Sequence, residues 1–181
     1  MVQTVLILSS LTGANAATRH RTHPYRKHWK QATFSKAAVG GVIAGAAIGQ
    51  LLGHPSNYGG GMAGFGKRLG AGFVTHGVGT TVEHLVAAPL HEDLHYHRSM
   101  KQGFGPRLAY ALKSTVITTN THTGNRRPAI GRLSGHAAAG IVTQAALHAG
   151  SGAATAGIGL GADAGANVLR EFWPHHPADR H

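Results

Sequence analysis

Cysteine is missing from this 181-residue chain. No disulfide, thiolate metal site or cysteine nucleophile can therefore form. Acids are nearly missing too. Glu83, Glu92, Asp93, Asp163, Glu171 and Asp179 stand against 17 Lys and Arg, a net charge of +11. That balance favours anionic lipid surfaces or nucleic acid over acidic-site chemistry. Bulky apolar residues are scarce: five Phe, four Tyr, three Met and two Trp. A core of Ala and Gly buries little area at roughly 25 cal/mol per Å², so this chain gains more from close helix contact than from a thick apolar interior. No nucleophile elbow, phosphate loop or strand-led dinucleotide fingerprint occurs. The run Gly157-Ile-Gly-Leu-Gly-Ala lacks a preceding strand and turn.

What is abundant is glycine, 27 residues and about twice ordinary usage. It recurs at four-residue steps. Gly41, Gly45, Gly49 and Gly53 form one series; Gly66 and Gly70 repeat the step. Gly131, Gly135 and Ala139 form another, and Ala153, Gly157, Gly161 and Gly165 a third. On a helix such spacing draws a groove without side chains. Each interior glycine costs roughly 0.5–1 kcal/mol relative to Ala, a cost that close packing in a membrane returns. The expected fold is all-α: a bundle of about five Gly/Ala-rich helices with small-xxx-small packing, membrane-associated. Helices are expected over 37–53, 64–88, 106–119, 130–148 and 153–171, with turns at 54–61 and 150–152 and a polar loop at 120–129.

Four regions follow. Residues 1–16 read as signal peptide-like, with Val5–Leu11 as apolar core and Ala14-Asn-Ala16 as cleavage site. Residues 17–36 read as a basic interfacial segment carrying Tyr25, Trp29 and Phe34. Residues 37–174 form the helical domain, and 175–181 a polar tail. Pro24 and the lack of periodicity argue against a regular basic helix in 17–36, so nucleic acid is not an expected partner. Membrane lipid is, and so is a second copy meeting the glycine faces. No Lys or Arg falls between Arg68 and Arg98, or between Leu133 and Leu169. The second window fits a helical hairpin in or on a membrane, within which Asp163 needs water or a partner such as Arg107 or Arg132.

The densest polar cluster is His91–Arg98. Its first five residues match H-E-x-x-H, which on a helix places His91 and His95 on one face for zinc with Glu92 as general base. A metal-dependent hydrolase using Glu92 as catalytic residue is one alternative; zinc would be its cofactor, with His97 as a further ligand. Against it stand Asp93 at a position that wants no charge, Pro89 just upstream, His97 where the zinc-protease pattern has an apolar residue, and no third ligand of that pattern further downstream. The plain reading is a helix-end polar cluster in which Glu92 and Asp93 pair with Arg98 or other cations. A basic periplasmic module for anionic polymers is a second alternative.

Tyr58-Gly, Gly64-Phe-Gly-Lys-Arg-Leu-Gly-Ala, Pro89-Leu-His-Glu-Asp and Arg98 recur in a known order. With Gly103-Phe-Gly-Pro-Arg-Leu-Ala-Tyr-Ala-Leu, a Thr-rich segment and Asn167-Val-Leu-Arg-Glu-Phe-Trp-Pro174, the chain resembles a family of uncharacterised exported proteins common in acidobacterial genomes. The resemblance spans roughly 58–174. It implies export and an envelope location, and no activity. That family has Pro-Arg-Tyr after His-Glu-Asp, where this chain has Leu94-His95-Tyr96, so His95 is particular to this sequence. The expectation is a bacterial envelope helical protein of structural or scaffolding type, not an enzyme and without a cofactor.

Overall fold

A computed structural model describes the backbone of residues 24–173 and the side chains of 28–173. The signal-like segment and the polar tail lie outside the described residues. Helices dominate: α1 (Pro24–Phe34), α2 (Lys36–Leu51), α3 (Gly61–Ala87), α4 (Phe104–Lys113), α5 (Ile130–Ile141) and α6 (Gly152–Phe172). A 3₁₀ turn at Ser56–Tyr58 follows α2, and a wide π turn at Val142–Ala146 follows α5. The all-α expectation holds.

Three boundaries differ from the sequence reading. First, α1 is a regular helix, because Pro24 occupies its first position, where a missing N–H costs nothing. Ser35 then ends α1 and caps α2, its hydroxyl accepting from the Ala38 amide at 3.2 Å. Second, the helix expected over 106–119 stops at Lys113. The β-branched run beyond it becomes β1 (Ile117–Thr119), paired antiparallel with β2 (Arg126–Pro128), Thr118 opposite Arg127. Between them the Asn120 side chain accepts from the His122 and Thr123 amides, each at 2.9 Å, and Gly124 supplies φ +71. Third, α5 ends at Ile141, where the π turn begins.

The long α3 is the floor on which α2 and α5 lie. Helix α6 runs back along α5, and α4 packs on the later part of α6. Small residues set the α3–α5 approach. A Cβ added to Gly131 would stand 2.7 Å from the Ala87 Cβ, and one on Gly135 would stand 2.7 Å from the Gly79 oxygen. At the α5–α6 corner, Gly140 and Gly152 pack backbone to backbone.

The interior is mostly polar. Among the described residues the buried apolar side chains are alanines alone: Ala46, Ala87, Ala111, Ala129 and Ala139. Buried polar ones include Arg68, His84, Glu92, Asn120, Asn167 and Glu171, and the two largest fully buried side chains among the described residues are glutamates. Eighteen large apolar side chains among the described residues are exposed instead, including Ile43, Ile48, Leu51, Leu52, Phe73 and Ile158. Among the described residues, the stretch His28–Leu51 is long and apolar enough to cross a membrane by length and composition.

Candidate functional site

The sequence's most chemical-looking motif turns out to be a staple. His91–His95 lies in turns and extended backbone, not on a helix, so His91 and His95 do not share a helical face. His91 takes φ 53 and stacks on His122 at 3.8 Å between ring centroids. His95 instead sits 4.2 Å from the His28 ring on α1, and His97 bonds Asp93 at 2.7 Å. Among the described residues no three His, Asp or Glu form a metal-holding group. Glu92 is the opposite of a free general base. Its two oxygens accept from the amides of Ile130 at 3.0 Å and Gly131 at 2.9 Å. Ala129, at the N-cap of α5, has no side-chain acceptor of its own. A carboxylate from far back in the chain thus replaces the missing cap and meets the helix dipole.

The expected Glu92–Asp93–Arg98–Asp163 polar cluster is dispersed. Asp93 pairs with His95 and His97. Burial pushes its carboxyl up, but the His95 amide and the His97 ring outweigh this and hold it below the usual range. Arg98 donates to the Arg170 and Trp173 carbonyls at the end of α6, a favourable place for a cation.

A second buried acid holds that same end. Glu171 accepts from Arg107 Nε at 2.8 Å, from the Tyr96 hydroxyl at 2.7 Å and from the Ser99 amide at 2.9 Å. Arg107 also donates to the Glu171 carbonyl. Burial raises the Glu171 carboxyl, and these donors more than reverse it, leaving it below its ordinary value. The Tyr96 phenol is pushed up, first by burial and then by Glu171.

Between α2, α3, α5 and α6 runs an open groove of about 610 Å³. Its floor is the α3 face from Arg68 to Glu83, and its walls are mainly Gly and Ala, with Gly41 and Gly45 on α2 and Gly159 and Ala162 on α6, beside Val42, Thr155 and Ile158. At one end Arg68 is buried with its donors spent. They reach the carbonyls of His54 (2.9 Å), Gly59 (2.8 Å) and Pro55 (3.0 Å) and the Gln50 side chain (2.6 Å). At the other end stand Glu83, Asp163, His136 and Arg132. His136 Nε2 lies 2.9 Å from Asp163, with Gly159 making room for the ring. Arg132 Nε lies 3.7 Å from both Glu83 and Asp163, and its Nη1 donates to the Ser114 and Thr115 carbonyls. Of the two partners foreseen for Asp163, Arg132 is present and Arg107 is not. Burial pushes the Glu83 carboxyl up, and Arg132 offsets only part of that.

The glycine series divide. Gly131 and Gly135 face α3, and Gly49 packs against the His54 carbonyl and Arg68. Gly53 has φ +63 and ends α2. At Gly41, Gly45, Gly157, Gly161 and Gly165 an added Cβ would meet nothing within 4 Å among the described residues. Sequence reasoning missed Gly72, Gly79, Gly140, Gly152 and Gly159 as contact glycines, and Arg68, Glu83 and His136 as groove residues. The single charge of Glu83 in the otherwise uncharged stretch of α3 beyond Arg68 was the available signal. Comparison with family profiles, with curated proteins and with solved structures finds no match to this chain.

Proposed function

We propose that this chain is a membrane-associated helical protein of the bacterial envelope with a structural or scaffolding role. The single observation that carries the reading is the distribution of side chains. Among the described residues eighteen large apolar side chains face outward, while the largest fully buried ones are Glu92 and Glu171. A water-soluble fold gains its stability by the opposite arrangement. Exposed apolar surface on this scale marks a lipid or protein partner, and in lipid the polar groups turn inward and pair. The apolar stretch His28–Leu51 supplies the natural contact, and the open glycines Gly157, Gly161 and Gly165 of α6 leave a face for a second copy. The spent state of Glu92 favours a scaffold over a hydrolase. Carbonate extraction of membranes tests the reading: the chain stays in the pellet if it is integral, and its release into the soluble fraction overturns insertion.

A further inference from the structure

We propose that the groove on α3 binds an amphiphilic primary amine, its ammonium at Glu83 and Asp163 and its apolar body along the glycine and alanine walls. The groove is long enough for such a body: Arg68 to Glu83 spans ~22 Å of helix at 1.5 Å per residue, and the volume is about 610 Å³.

The choice of head follows from which polar groups are already used. Every Arg68 nitrogen donates to a protein oxygen. His136 is bound to Asp163, and Arg132 divides itself between two carbonyls and two acids. Among the described residues no Lys or Arg lining the groove is left for an anionic head. The acceptors are in surplus. Glu83 receives no hydrogen bond from the described residues, since Arg132 at 3.7 Å is beyond bonding distance. Asp163 is bonded through Oδ2 alone. Two acids share the one guanidinium of Arg132 at this end of the groove, so an added positive charge finds acceptors there. An ammonium offers three donors to those oxygens. A carboxylate head would meet two acids instead, and a neutral alcohol would bring no positive charge. A zwitterionic lipid head brings its own phosphate next to Asp163, which singles out a free amine. The walls ask for an apolar body: Gly41, Gly45, Ala46 and Ala162 present no polar side chain.

The test uses the purified full-length chain in lipid nanodiscs, with n-octylamine as probe and n-octanoate and n-octanol as like-sized controls. Calorimetric titration, with empty nanodiscs as the reference, reads binding. Octylamine is expected to bind one to one and at least tenfold more tightly than either control. Equal affinity for octanoate or octanol, or no saturable octylamine binding, overturns the proposal. Glu83→Gln should weaken octylamine binding at least tenfold. Gly45→Leu fills the open wall without touching the polar end and should do the same. Wild-type affinity in a folded Gly45→Leu protein overturns the proposal even where Glu83→Gln does not fold.

Discussion

Glu92 Oε2 lies 2.9 Å from the amide of Gly131, and its other oxygen takes the neighbouring amide of Ile130. One side chain from the turn after α3 thereby closes the N-terminus of α5. Glu92→Ala leaves two amides at that buried helix start without an acceptor. The expected loss is about 2 kcal/mol or more, since each unsatisfied buried group costs about 1–3 kcal/mol. Glu92→Gln keeps one acceptor and should lose less. Chemical unfolding in nanodiscs measures both. A zinc-site role predicts the reverse pattern: unchanged stability in apo protein and loss of bound metal.

Glu171 and Arg107 should behave as a buried ion pair in which the acid is fully enclosed. Removing one partner of such a pair typically costs about 3–5 kcal/mol, because the other charge is left unpaired. Arg107 is partly exposed, so Glu171→Gln belongs at or below the low end. The pH dependence has a definite sign. The folded carboxyl sits below its ordinary 4.5. Its stabilising effect is complete above that value and fades as pH falls through the folded pKa. Wild type should lose stability on acidification below about pH 4.5 more steeply than Glu171→Gln does, as thermal melts across an acid series would record.

Much of the helical framework was legible because Gly and Ala steps and Pro boundaries are local signals. The placement of α2, α3, α5 and α6 follows from them. The hairpin was not legible, because Thr115–Thr119 reads equally well as the end of a helix until Arg127 is brought opposite Thr118. The roles of the acids were illegible for a different reason. His91-Glu92-x-x-His95 has the spacing of a zinc helix, yet the backbone turns at His91, and Glu92 finds its partners nearly forty positions later. Spacing alone cannot separate a catalytic carboxylate from a cap when the cap crosses the fold. Glycine steps carry the same ambiguity. They locate a groove on a helix and leave open whether the chain itself fills it.

Arg68 ties the 54–59 loop to α3 through three carbonyls and also reaches the Gln50 side chain. Lysine carries the charge but has no planar fork with which to reach them together. Arg68→Lys should cost about 1–3 kcal/mol through the acceptors it abandons. It should also speed limited proteolysis within residues 54–60, with cleavage elsewhere little changed. A uniform rise in cleavage would instead mean that Arg68 holds the whole bundle.

Two glycines at the same sequence spacing should respond in opposite directions. At Gly135 an added Cβ meets the Gly79 oxygen at 2.7 Å and the Glu83 Cβ at 2.9 Å. Gly135→Ala must push α5 off α3, and overpacking of this kind costs about 1–3 kcal/mol. At Gly45 an added Cβ meets no atom within 4 Å among the described residues. Gly45→Ala therefore gains the helix propensity that glycine forfeits, about 0.5–1 kcal/mol. Unfolding of the two variants side by side, at protein concentrations differing a hundredfold, separates packing within the chain from packing between chains. The Gly135 loss should not depend on concentration. If Gly45→Ala destabilises instead, and does so more at high concentration, then a second copy occupies the α2 face and the amine groove is an interface.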